Sequence, residues 1–211
     1  MSASTSTITL TTDLSTPWVL WFHPIDGEAY DLASFERLSD IRTVGDYLTT
    51  IGSIKNYTSG MFYLMREGIP PMWEHEANAH GGYWSYRIPK ARANGTWTDF
   101  CSAAVGNVLT RSLEDMQWIN GISISPKINN AIIKIWTSVD NFPHHRLPDN
   151  IGEQYMSGGV YKKATEMLQQ AVAGAAPTVP GWDPAAAPAA PGWDPAAAPA
   201  APGWDPAAQE A

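Results

Sequence analysis

The sequence predicts an α+β fold built on an antiparallel sheet. Three observations carry that expectation: short runs of aromatic and β-branched residues, segments whose apolar residues recur at helical spacing between them, and strand links that read as hairpins. From Pro17, PWVLWFH is a strand by composition. Residues 43–51, TVGDYLTTI, place Val44, Tyr47, Leu48 and Ile51 on one helical face, with Thr43 as the N-cap. GMFYLM (60–65) reads as a strand, EGIPPMWEHE as a proline-rich loop, and GGYWSYRI (81–88) as a further alternating strand. After Asn94 and Gly95 the spacing of Trp97, Phe100, Ala104 and Val108 predicts a helix over 96–110. Trp118 to Ile124 and Asn130 to Ser138 are β-rich runs joined through SPKINN, a hairpin signal. A final amphipathic helix is expected between Ile151 and Gln170.

These elements divide the chain of 211 residues into three parts: a polar, mobile arm (1–15), a folded domain (16–172) and a tail (173–211). In the tail the composition shifts abruptly. Lys and Arg vanish, alanine dominates, and PGWDPAAAPAA recurs with a period of eleven that places Trp182, Trp193 and Trp204 identically. Copies so short and proline-rich cannot bury a core, so the tail is expected to be disordered or partly polyproline-like. A solubilising spacer and a multivalent display of Trp-Asp anchors for a partner stand as equal readings of it.

Hydrophobic residues make up 44% of the chain, enough for a core in the folded domain. Tryptophan stands out, with ten copies, and its large π surface is used in cores or in binding sites. The net charge of −8 argues against coating long nucleic acid, which relies on counterion release; a short anionic ligand needs only a few placed cations. The single Cys101 rules out an intrachain disulfide framework and a cysteine-based zinc site. No apolar run reaches the length of a membrane span, and MSASTSTITLTTDLST lacks the charged and apolar regions of a signal peptide. The expected location is therefore the cytoplasm, with the nucleus also open.

The most informative stretch is GMFYLMREGIPPMWEHEANAHGGYWSYRI, residues 60–88. Its Gly68, Ile69, Pro71, Met72, Trp73 and Glu74, followed by Asn78, Gly81, Gly82 and Trp84, resemble the cap-binding translation initiation factor 4E family. WVLWF (18–22) and IKIWT (133–137) match in order on either side, so the resemblance covers roughly residues 16–170. It implies a curved antiparallel sheet of about eight strands with three helices on the convex side and a cap slot on the concave side. It also implies binding of the 7-methylguanosine cap of messenger RNA in translation initiation, with no cofactor and no catalysis.

Methylation makes guanine a delocalised cation, which an aromatic face attracts more strongly than it attracts a neutral base. Two rings can stack such a base as a sandwich, and a carboxylate can accept both the ring N–H and the exocyclic amine of guanine. By the resemblance, Trp73 is one stacking wall, Glu74 reads the guanine edge and Trp136 contacts the methyl group. Taken alone, Trp136 fits a core strand residue equally well, and Glu74 a solvated charge. The second wall departs from the family, since no Trp lies between Trp21 and Trp73. Tyr30 is the assignment, displaced by one residue in a loop. Phe35 is the alternative, although its spacing suits a core position beneath the sheet.

For the phosphates, Lys127 matches a family cation, whereas a second family cation falls on Ile132. Lys134 alternates with Ile132 and Trp136 on a strand and so points to the same face, where it can substitute. The glycine loop carries Ala77, His80 and Tyr83 in place of basic residues, and Arg87 and Arg92 read as ordinary surface charge. The resemblance also implies a convex face for a helix from a scaffold partner. Here Val44 matches that face, Leu48 replaces its signature Trp, and Ser102, Ala103 and Gly106 stand where larger or acidic residues are usual, which points to a non-standard partner. Trp97 and Phe100 read as core.

Enzymatic chemistry finds little support in the same residues. His75, His80, His144 and His145 with Glu74 and Glu76 fit no metal-ligand spacing, and no nucleophile elbow, phosphate loop or dinucleotide fingerprint occurs. A cap-binding repressor or specialised factor, and a platform whose tail is the main binding element, remain as alternatives.

Overall fold

The structure is a computed structural model that describes residues 7–27, 30–148 and 159–172. The first six residues of the expected arm, residues 151–158 of the expected last helix and the whole of the repeat tail lie outside the described residues.

Among the described residues, seven strands form one curved antiparallel sheet: β1 (Asp13–His23), β2 (Glu36–Thr43), β3 (Met61–Arg66), β4 (Gly82–Pro89), β5 (Ile119–Pro126), β6 (Asn130–Thr137) and β7 (Val160–Lys163). Their order across the sheet is β2-β1-β3-β5-β6-β4-β7. The helices are α1 (Val44–Ser53), α2 (Glu76–Ala79), α3 (Ala93–Val105) and α4 (Ala164–Val172).

Side chains alternate across this sheet and build a different layer on each face. Trp18 and Leu20 of β1, Leu64 of β3, Ile122 and Ile124 of β5 and Ile133 and Ile135 of β6 join Trp97, Phe100 and Ala104 of α3 in the main core. Each large apolar side chain fully buried there contributes about 1.5–3 kcal/mol. The opposite face carries a smaller cluster of Phe35, Tyr63, Met65 and Trp136, with Trp21, Ile69, Met72 and Trp73 packed against it. The functional candidates belong to this second, aromatic face.

Helix α1 begins as its sequence implies. The Thr43 hydroxyl accepts from the Asp46 amide, and the Asp46 carboxylate accepts from the Thr43 amide in return, a reciprocal capping box. Tyr47 and Ile51 are buried from it, while Leu48 is 53% exposed, so Leu48 is off the packed face on which the spacing placed it. Helix α3 starts earlier and stops earlier than expected, at Ala93 and Val105, leaving Val108 outside it and exposed. A hydrogen bond of 2.7 Å between Tyr47 Oη and Ser102 Oγ joins the two helices on the convex side.

Two strands were not legible as strands. β2 (ERLSDIRT) is an edge strand in which Ile41 alone is buried, so no apolar alternation marks it. Its Arg37 and Arg42 instead pair with Asp40 and Glu67, the kind of charged edge that discourages further pairing. Of the helix expected between Ile151 and Gln170, residues 151–158 lie outside the described residues, Val160–Lys163 is instead the other edge strand, and 164–170 is helical. At the other end, β1 begins at Asp13, and the carbonyls of Leu10 and Thr12 accept from the Gly45 and Val44 amides, which ties the preceding residues to α1.

Candidate nucleotide-binding site

Trp73 is delivered by the loop between β3 and α2. Gly68 opens that loop at φ +83°, a conformation that side-chain-bearing residues rarely adopt. The loop is then fixed from beneath by Asn78, which is 1% exposed. Its Nδ2 donates to the Pro70 carbonyl at 3.1 Å and to the Met72 carbonyl, immediately before Trp73, at 2.7 Å. Asn120 of β5 donates to Asn78 Oδ1 at 2.8 Å and to the Ala77 carbonyl at 2.6 Å, so the loop is bonded to the sheet. Gly81 follows from close packing: a Cβ there would run into the Thr137 carbonyl of β6.

The ring of Trp73 lies flat on Trp136, with centroids 3.4 Å apart and planes within 3°. Trp136 is 2% exposed, and its Nε1 donates to Ser123 Oγ at 3.0 Å. Trp136 is thus a core strand residue and part of the aromatic face at once. Tyr83, paired with Trp136 across β4 and β6, sits 5.0 Å from Trp73. Its hydroxyl donates to Met167 Sδ of α4 at 3.6 Å, which places α4 on this side of the sheet. Burial foremost, then the Glu166 carboxylate, pushes the Tyr83 phenol up to about 12.

Tyr30 has a different neighbour. Its ring, 55% exposed, stacks on the fully buried His23 at 4.5 Å and 9° and meets Phe35 edge-on at 6.4 Å. Phe35 then contacts Tyr63 at 5.3 Å, and Tyr63 contacts Trp136 at 6.2 Å. Tyr30 and Trp73 are therefore linked through one continuous row of rings across the aromatic face. Phe35, only 7% exposed, is inside that row.

The cations lie alongside. The Lys134 ammonium is 4.4 Å from the Tyr83 ring centroid and 5.5 Å from that of Trp73. Burial foremost, then the like charges of Lys127 and Lys162, brings its pKa down to about 8. Lys127 is exposed in the β5–β6 turn, where its amide bonds the Asn130 carbonyl at 2.7 Å. Glu74 is exposed immediately after Trp73. Ile132 is half-buried on the same face, and Arg87 and Arg92 are exposed. Among the described residues, no group of three or more His, Cys, Asp and Glu is arranged to hold a metal ion.

The sequence motif covers Trp73, Glu74, Asn78 and the glycines, and the spacing on β6 covers Lys134 and Trp136. It gives no role to His23, Asn120 or Lys162. Asn120 sits in a run of β-rich residues with nothing local to mark it, and His23 reads only as a strand end.

Residues 13–165 match the family model for eukaryotic initiation factor 4E. The chain belongs to the eukaryotic initiation factor 4E family. It is 28% identical over 134 residues to eukaryotic translation initiation factor 4E of Dictyostelium discoideum, covering 59% of this chain and 51% of that protein. It is 27% identical over 150 residues to the Xenopus laevis factor 4E, covering 67% and 68%. The chain thus spans about half to two-thirds of these relatives' length. Among solved structures, the eIF4E-3 of C. elegans in complex with the 4E-binding protein Mextli and a cap analogue superposes with a TM-score of 0.65 at 20% identity, over 75% of this chain and 95% of that one. Schistosome eIF4E complexed with m7GpppG and 4E-BP gives a TM-score of 0.67 at 16% identity, over 77% and 93%. At these identities the factor 4E structures establish the shared fold.

On the convex side, Val44 is half-buried and Leu48, Ser102 and Gly106 are exposed, with Gly106 closing α3. Ala103, 6% exposed, is turned into the interior instead. No helix among the described residues is long and apolar enough to cross a membrane.

Proposed function

We propose that this chain binds the 7-methylguanosine cap of messenger RNA and acts in translation initiation as a binding protein without catalytic chemistry. The observation that carries the reading is the row of aromatic rings on one face of a factor 4E sheet that includes Trp73, with a carboxylate at the next residue and the Lys134 ammonium 5.5 Å from its ring. The relatives of the same fold from C. elegans and schistosome were solved with a cap analogue and with m7GpppG.

In this reading Trp73 stacks on the cationic base, each such stack being worth about 1–3 kcal/mol. Tyr30, held by His23, supplies the opposing wall. Glu74 accepts from the guanine N–H and amine, a donor pair that adenine does not present, and its charge offsets that of the methylated base. Trp136, covered by Trp73 in the structure, meets the methyl group once Trp73 lifts from it to take the base. Lys134 and Lys127 meet the phosphates. The convex surface of Val44, Leu48, Ser102 and Gly106 takes a helical segment from a partner of the kind named in those complexes.

The test is retention of the full chain on a resin bearing a 7-methylguanosine triphosphate analogue. Wild type is expected to be retained and released by free cap analogue, and Trp73→Ala is expected to pass through. Equal retention of both proteins, or of neither, refutes the reading.

A further inference from the structure

All but the first two residues of helix α4 lie past residue 165, where the match to the family model ends. Its contacts nevertheless set it beside the aromatic face. The Ala164 amide at its start donates to the Gly81 carbonyl at 2.9 Å, and Ala164 itself is buried. The helix packs on β4 and on α2, which begins two residues after Glu74.

What α4 brings to that face is a thioether. Met167 Sδ accepts from the Tyr83 hydroxyl at 3.6 Å. Tyr83 is 3% exposed, so its hydroxyl cannot turn to water unless the ring moves. A buried hydroxyl stripped of its acceptor loses more than the bond itself contributes, so this contact helps decide where the phenol lies although sulfur accepts weakly. The unbranched methionine side chain adapts its reach to the ring edge.

The ring so held stands next to Trp73. The two centroids are 5.0 Å apart with planes at 39°, and the Lys134 ammonium lies 4.4 Å from the Tyr83 centroid. Trp73 lies on Trp136 and has to leave it to take a base, so the neighbours that remain around its indole limit the orientations it samples once lifted. Freedom that a side chain keeps in the empty site is given up when a base is stacked. A fixed neighbour removes that loss beforehand.

We propose that α4 buttresses the Trp73 wall, with Met167 as a positioning residue: its sulfur fixes the Tyr83 ring, and the fixed ring restricts Trp73 to orientations that can stack a base. The proposal rests on the cap reading and adds to it a residue that acts through two rings rather than on the nucleotide. Met167→Leu keeps the volume and removes the acceptor, so Tyr83 shifts to satisfy its hydroxyl and Trp73 loses its brace. Met167→Gln keeps an unbranched side chain and offers a carbonyl oxygen to the same hydroxyl. Tyr83→Phe removes the donor, after which the acceptor at residue 167 no longer matters.

The experiment is titration of the full chain with 7-methyl-GTP, well below the melting temperature of each variant. The proteins are wild type, Met167→Leu, Met167→Gln, Tyr83→Phe, the Tyr83→Phe/Met167→Leu double variant and Gln169→Ala, an exposed position of the same helix. Met167→Leu is expected to weaken binding about three- to tenfold, and Met167→Gln to stay within about twofold of wild type. In the Tyr83→Phe background Met167→Leu adds no further loss, a coupling that a merely structural helix contact does not produce. Gln169→Ala leaves the affinity unchanged. Wild-type affinity for Met167→Leu, or an equal loss in both backgrounds, overturns the proposal. The cap reading survives that outcome as long as Trp73→Ala still abolishes binding. If wild type holds no 7-methyl-GTP, the cap reading falls and this proposal with it.

Discussion

At the scale of single residues, the site is governed by which ring lies on which. Tyr30 presents one face to His23 and remains 55% exposed, so it is available without repacking the core. Tyr30→Ala is expected to weaken cap-analogue affinity at least about tenfold, the loss of one base stack, with an unchanged thermal unfolding curve. Titration and a melting curve measured together decide it; unchanged affinity moves the role of the wall elsewhere. Phe35 is the less promising alternative, because its edges are already engaged by His23, Tyr30 and Tyr63. Trp136 was open to two readings in the sequence, and its surroundings explain why. Its Nε1 is tied to Ser123 and its edge to Tyr63, as in a core residue, while its face carries Trp73.

At the scale of elements, the loop that carries Trp73 is braced because Asn78 and Asn120 donate to its carbonyls from inside. Asn78→Ala removes two bonds to the loop carbonyls and the acceptor of the Asn120 amide, so it is expected to cost about 1–3 kcal/mol in chemical denaturation and to weaken cap binding as well. A loss of stability with cap affinity intact would show that the loop is not what positions Trp73. The same loop shows what the sequence made legible. Gly68 announces a shaped turn because its positive φ is a local backbone demand, whereas Gly81 answers to the distant Thr137 carbonyl. Asn120 acts from a distant strand, and no local pattern signals it. β2 and β7 escaped for a related reason: an edge strand with a single buried side chain, or of four residues, has no room to display a period of two. The central strands and α1 were readable because burial on one face and a capping box write themselves into neighbouring residues.

At the scale of the whole molecule, the sheet separates two tasks. The helix-covered face supplies the main core, and the aromatic face gathers charge that folding alone would not choose. Lys134 makes this measurable. Its folded pKa of about 8 lies below the ordinary lysine value of 10.5, so between these limits the folded chain releases a proton that the unfolded chain keeps. The unfolded state then binds more protons, and stability rises with pH across that window. Relative to Lys134→Met, wild type is expected to gain on the order of 1–2 kcal/mol between pH 8 and pH 10, discounted for partial exposure. The Cys101 thiol and the buried tyrosines, whose pKa values burial raises, act in the opposite sense at alkaline pH, but they are common to both proteins and cancel in the difference. Denaturation curves of the pair at pH 7.5, 8.5 and 9.5 measure it; a flat difference removes Lys134 from its assigned surroundings.

The same side chain has a chemical consequence. An amine titrating near 8 is about one-quarter free base at pH 7.5, against roughly a thousandth for an ordinary lysine. Lys134 should therefore be acylated ahead of the other lysines by a small amine-directed reagent, as peptide mapping would reveal. An occupying nucleotide should shield it, so that one nitrogen reports whether the site is full.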